Sequence, residues 1–138
     1  MKIKKHIFWL LFILWLGVIF FFSSQSGSAS SNLSNTILML LPFKISSFAI
    51  RKLAHFTEYF ILGLLGMNAI NKSGAFHNKN IILLSLFILL YALSDEIHQY
   101  FVGGRAMRVL DVFIDYTGAL VSQVAFKFIK DKTKHTLL

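Results

Sequence analysis

The chain has no cysteine, so it carries no thiolate nucleophile, no disulfide and no sulfur ligand for a metal. It has one proline, Pro42, and no Gly/Ser or Pro tract divides it, so residues 1–138 read as a single domain. Acid is scarce: six Asp and Glu stand against fourteen Lys and Arg, for a net charge of +8. What the chain has in excess is apolar surface. It is 56% hydrophobic with a mean hydropathy of +0.66, above the roughly 45–50% apolar content of a soluble domain. An integral membrane domain follows. The positive charge then reads as lysines flanking membrane segments rather than as a nucleic-acid surface.

Four apolar stretches, about 6–22, 50–70, 80–100 and 109–129, are each near the ~20 residues that cross ~30 Å of hydrocarbon as a helix. Strands would leave backbone groups unsatisfied in lipid, and four are too few for a barrel. The expected fold is therefore all-α, a membrane bundle of four transmembrane helices. Lys2, Lys4 and Lys5 ahead of Ile7–Phe22 resemble a signal peptide. That apolar run exceeds the usual ~7–15 residues, however, and Ser28-Ala29-Ser30 matches a cleavage site only loosely, so a retained first helix is expected. Between the first two spans, polar Ser23–Asn35 leads into Thr36–Phe43, which is too short to span and is expected to be interfacial or re-entrant.

Orientation follows from the lysines. Lys2, Lys4, Lys5, Lys72, Lys79, Lys127, Lys130, Lys132 and Lys134 fall on one side of four crossings, which the positive-inside rule makes cytoplasmic, with both termini there. Lys44, Arg51, Lys52, Arg105 and Arg108 fall on the other.

Five of the six acidic residues and all three arginines lie in or beside the apolar stretches, where an unpaired charge costs a few kcal/mol at least. In the second span Arg51, His55 and Glu58 are spaced i, i+4, i+7 and share one face, which must look inward or toward water. The third span ends Ser94, Asp95, Glu96, His98, Gln99. Its adjacent carboxylates repel unless a cation, a metal or a shared proton intervenes, so one of the two is a candidate for a raised pKa or for pairing with Arg51, Arg105 or Arg108. The fourth span carries Asp111, Asp115, Gly118 and Ser122 on one inward stripe. Asp111 there needs a partner such as Arg105 or Arg51, while Gly118 and Ala119 suit close packing. Gly103-Gly104 makes a tight turn that brings Arg105 back over the bundle. All these groups converge on the outer half. His6, His77 and His135 read as flanks, Trp9 and Trp15 as core or lipid-facing. Phe22–Gln25 either caps the first helix or lines the same pocket.

The segments FFSSQ, RKLAHFTEYFILG, SDEIHQYFVGGR and DVFIDYTGA, in this order, resemble the signature blocks of VanZ-like membrane proteins over about residues 20–123. Two positions depart from the pattern. Gly103-Gly104 stands where members more usually have Pro-Gly, and Asp115 where they have Asp or Asn, which implies hydrogen-bonding capacity rather than an obligatory charge. The resemblance implies a small bacterial cell-membrane protein of a family whose founding members are associated with teicoplanin resistance; it supplies no biochemical activity. By matching position it singles out Arg51, Lys52, His55, Glu58, Tyr59, Ser94, Asp95, Glu96, His98, Gln99, Arg105 and Asp111.

Three functions compete. In an enzyme of the outer leaflet, His55 or His98, oriented by a carboxylate among Glu58, Asp95, Glu96 and Asp111, acts as general base. Arg51, Lys52 or Arg105 then holds an anionic lipid headgroup or phosphate, with Tyr59, Ser94, Gln99 and Asp115 also contacting substrate. A metal variant uses His55, Glu58, Asp95, Glu96, His98 and Asp111 as ligands to a divalent ion. The second function is capture without chemistry of a lipoglycopeptide or lipid-linked wall precursor. The third is a structural network of arginine and carboxylate pairs. Transport ranks below these, because the polar groups do not continue to the cytoplasmic half. The expected partners are the bilayer and such lipids or precursors, with no nucleic acid.

Overall fold

The computed structural model describes residues 3–40 and 45–136, and among these the protein is all-helical. Five helices follow in order: α1 (Ile3–Ser23), α2 (Gly27–Leu40), α3 (Ser47–Lys72), α4 (Asn78–Tyr100) and α5 (Val109–Thr136). Four of them contain segments long and apolar enough to cross a membrane, namely His6–Ser23, Ser47–Lys72, Asn78–Tyr100 and Val109–Thr133. These correspond to the four expected spans, α3 and α5 being longer than the apolar runs alone indicated.

The segment between the first two spans contains a short helix. Helix starts at Gly27, within the polar stretch Ser23–Asn35, and continues to Leu40; residues 41–44 lie outside the described residues. The reason is local. Ser34 Oγ donates to the Ser30 carbonyl at 2.9 Å and Thr36 Oγ1 to the Asn32 carbonyl at 3.0 Å, so the hydroxyls are satisfied by the helix that carries them. α3 begins on a capping serine, whose Ser46 Oγ accepts from the Ala49 amide at 3.2 Å.

α3 is the hub of the bundle. It packs most extensively on α5 and next on α1, with α2 and α4 along its remaining sides. Tyr59, Leu62, Met67 and Ile70 turn one face into a core completed by Phe12 and Ile19 of α1, Leu84, Ile88 and Ala92 of α4, and Val112 and Ala119 of α5. The α3–α5 contact is backbone-close because of two glycines. A Cβ on Gly63 would lie 2.1 Å from Ser122 Oγ, and one on Gly118 would lie 2.3 Å from the Phe56 carbonyl oxygen. Such small-residue contacts let helices associate where no water drives them together. The outer faces are apolar, with Ile13, Leu14 and Phe21 of α1 and Phe113, Val124 and Phe128 of α5 exposed, as lipid requires.

Cross-helix bonds define two ends. At one, Trp9 Nε1 donates to Ser73 Oγ at 2.8 Å, and Lys127 and Lys130 reach Asn78 and Asn71. At the other, α1 ends, α2 and α3 start, α4 ends and α5 starts. All the anomalous polar residues sit at that second end.

Candidate functional site

The rim of this end is a backbone construction. The Gly27 amide donates to the Gly103 carbonyl at 3.0 Å. A Cβ on Gly27 would come within 2.0 Å of the Gly104 oxygen, so the start of α2 and the α4–α5 turn touch main chain to main chain. Gly104 sits at φ +75°, a conformation that favours glycine. The turn swings Arg105 across the bundle. Its Nε donates to the Gln25 carbonyl at 3.0 Å, Nη2 to the Phe22 carbonyl at 3.1 Å and Nη1 to Gln99 Oε1 at 3.1 Å. A cation on the Phe22 carbonyl, in the last turn of α1, is favourable for both hydrogen bonding and the helix dipole. Burial lowers the Arg105 pKa from its ordinary value, opposed by the carboxylates of Asp95 and Glu96.

Below the rim the acids find partners other than arginine. Asp111 pairs with Lys52, not with the Arg51 or Arg105 expected from sequence. The adjacent α3 positions point about 100° apart, and Lys52 is the one turned to α5. Asp115 Oδ1 lies 3.1 Å from His55 Nδ1, a contact that is ionic only when the imidazole is protonated. Asp95 and Glu96 relieve their repulsion by facing apart. Asp95 Oδ2 accepts from Gln99 Nε2 at 3.2 Å, while Glu96 Oε2 accepts from the Arg108 backbone amide at 2.8 Å. No arginine forms a salt bridge among the described residues; the pairs there are Lys52–Asp111 and His55–Asp115.

Two cavities of about 80 Å³ each open between these groups. Both are lined by Ser30, Arg51, His55, Gln99 and Arg105; the first adds Lys52, Arg108 and Asp111, the second Ser23, Glu58 and Asp95. The first lining is therefore cationic, with a single carboxylate. Arg51 makes one long bond, Nη1 to Ser31 Oγ at 3.4 Å, which leaves most of its donors for a ligand. Beneath lie three potential metal ligands, His55, Glu96 and Asp115, whose ligating atoms are all within 4.8 Å of one another. Glu96 Oε1, Asp95 Oδ1 and Asp115 Oδ2 are buried without a hydrogen-bond donor.

Of the residues singled out from sequence, Arg51, Lys52, His55, Glu58, Asp95, Gln99, Arg105 and Asp111 line the cavities, and Glu96 and Asp115 lie close under His55. Three lie elsewhere. Tyr59 is fully buried in the core near Tyr91, its hydroxyl without a partner. Ser94 is exposed and donates to the Tyr91 carbonyl. His98 faces α1, with its ring stacked on Phe20 at 4.7 Å and Nε2 3.0 Å from Ser24 Oγ. The α2 residues Ser30, Leu33, Ser34 and Ile37 also line the second cavity, and the i, i+4 spacing of Leu33 and Ile37 is a helical signal. Phe22, Ser23 and Gln25 line the second cavity, while Ser24 bonds the Phe20 carbonyl and His98, so the Phe22–Gln25 segment does both of the things its sequence suggests.

Fold and site together define an all-helical, multi-pass membrane protein with a cation-rimmed polar pocket over buried acids at one end. Within that class, the chain belongs to the VanZ/LLP1 family, whose profile matches residues 8–130, nearly the whole chain. No curated protein and no solved structure matches it significantly.

The Lys52–Asp111 pair yields a test. Lys52→Met leaves a buried carboxylate uncompensated, and such losses cost about 3 kcal/mol or more. Thermal unfolding in detergent is expected to show a clearly lower Tm for Lys52→Met and for Asp111→Leu, with much of it regained in the double variant. Single variants as stable as wild type would mean that the pair contributes nothing.

Proposed function

We propose that this protein binds the anionic headgroup of an envelope lipid or lipid-linked wall precursor at the outer leaflet of a bacterial cell membrane, and acts on it chemically. The observation that carries the reading is the lining of the first cavity, where Arg51, Lys52, Arg105 and Arg108 surround a single carboxylate, Asp111, with His55 at the same surface. Guanidiniums match phosphate oxygens in pairs. Arg105 is already engaged as a strut on α1, and Lys52 on Asp111, which leaves Arg51 and Arg108 to hold the ligand.

The size of the site fits one phosphate-like group rather than a whole lipid, since each cavity is about 80 Å³ and a water takes ~30 Å³. Acyl chains stay in the bilayer beside α2, where Leu33 and Ile37 line the second cavity and are also exposed. The headgroup then lies over His55. Asp115, 3.1 Å from Nδ1, orients the imidazole for proton transfer at a headgroup oxygen. Resistance to teicoplanin-type glycopeptides, the association of the family's founding members, follows in this reading from altering what the antibiotic meets at the outer surface.

The lysine distribution supports an outward-facing pocket with both termini cytoplasmic. With no native cysteine, single cysteines report sidedness directly. An impermeant thiol reagent is expected to label Ser28→Cys in intact cells and His77→Cys only after permeabilisation; the opposite pattern would place the pocket in the cytoplasm.

Chemistry is tested by mass spectrometry of envelope lipids from cells carrying wild type, Arg51→Gln or His55→Gln at equal membrane abundance. A lipid species changed by wild type and not by either variant is expected. Identical profiles in all strains, alongside a phenotype lost in the variants, would contradict turnover and leave capture alone.

A further inference from the structure

The floor of the pocket presents a problem that the headgroup reading does not solve. Glu96 and Asp115 come from different helices, both side chains are fully buried, and each keeps one oxygen without a donor. A buried anionic oxygen without a partner is costly. The second oxygen of each is already committed, Glu96 Oε2 to the Arg108 amide and Asp115 Oδ1 to His55. The cations nearby are likewise engaged or above this layer, since Lys52 pairs with Asp111 and Arg105 reaches α1.

We infer that His55, Glu96 and Asp115 form a binding site for one divalent first-row cation, such as Zn²⁺ or Mn²⁺. The ligand set is one imidazole and two carboxylates, a nitrogen–oxygen set that suits these ions, and two carboxylates neutralise a double charge. Bonds of ~2.0–2.2 Å to nitrogen and oxygen put neighbouring ligand atoms about 3.0–3.5 Å apart. His55 Nδ1 and Asp115 Oδ1 already lie 3.1 Å apart, and the whole set lies within 4.8 Å; an ion bound there replaces the proton between them and takes His55 out of the role of proton carrier. Rotation of the carboxylates closes the remainder. The Arg108 amide donates to the other oxygen of Glu96 at 2.8 Å, the kind of outer contact that orients a ligand.

Three protein ligands leave coordination positions open, the arrangement of catalytic rather than structural ions. His55 lines both cavities, so the open side meets the space assigned to the headgroup, and a bound oxyanion would be held between the ion below and Arg51 and Arg108 above. The inference identifies the floor of the proposed headgroup site but does not rest on turnover there, because ion binding stands or falls alone. A proton shared by Glu96 and Asp115 is the arrangement that would take the ion's place.

The full-length protein, purified in detergent, is stripped with chelator, dialysed and titrated with Zn²⁺ or Mn²⁺, with metal content read by mass spectrometry and binding by calorimetry. One ion per chain is expected, with Glu96→Gln and Asp115→Asn each weakening binding more than tenfold and His98→Ala binding as wild type. No stoichiometric ion in wild type, or unchanged binding in both carboxylate variants, would overturn the inference. If the variants fail to insert, Co²⁺ titration of wild type still decides: a four- or five-coordinate visible spectrum saturating at one equivalent is expected, and only the spectrum of the aqueous ion would overturn it. Since the readout is metal and not lipid, absence of the ion with lipid turnover intact would remove this inference and leave the proposed function standing.

Discussion

The end of the bundle where α1 and α4 finish and α3 and α5 begin must keep five carboxylates, Glu58, Asp95, Glu96, Asp111 and Asp115, inside a helical assembly whose outer faces are made for lipid. Removing one such group from water without compensation costs several kcal/mol, comparable to the whole stability of a small domain. Most of the local architecture is arranged around that cost. Lys52 and His55, from one face of α3, supply the partners of Asp111 and Asp115 on α5. Gln99 and the Arg108 amide supply neutral donors to α4. The close approach of α3 and α5 at Gly63 and Gly118 holds the two halves of the pairs in register.

Arginine is then released from neutralising acid. Arg105 ties the α4–α5 turn to the end of α1, while Arg51 and Arg108 keep donors at the cavity surface. The result is layered: cations at the rim, acids at the floor, and His55 at the boundary with a face on each cavity. A rim of this sign favours anions, and a floor of this sign favours a proton or a metal ion. Under the proposed reading, the oxyanion of a headgroup meets the rim, and a proton or a bound cation meets the floor.

Sequence reveals this arrangement unevenly, and the reasons are physical. The four spans are legible because length and hydropathy are properties of one segment. The inward stripes of α3, α4 and α5 are legible because helical periodicity places Arg51, His55 and Glu58, or Asp111 and Asp115, on one face. α2 is not, because serine and asparagine mark loops by composition, whereas here Ser34 and Thr36 bond their own helix. Partner choice is also hidden. Arg51 and Lys52 are neighbours in sequence, and only the packing of α3 on α5 decides that Lys52 meets Asp111. His98 shares a face with Asp95 by spacing, yet at the last turn of α4 it stacks on Phe20 of α1. The approach of Glu96 to Asp115 joins two helices and has no signature in either.

The central claim is that the rim recognises an anionic headgroup through Arg51 and Arg108. Native mass spectrometry of the protein released from membranes tests it most directly. The account predicts that wild type retains a phosphate-bearing lipid as a stoichiometric adduct, and that Arg51→Gln with Arg108→Gln loses the adduct while still showing the intact chain. Equal retention by wild type and the double variant, or no anionic lipid on either, would contradict it.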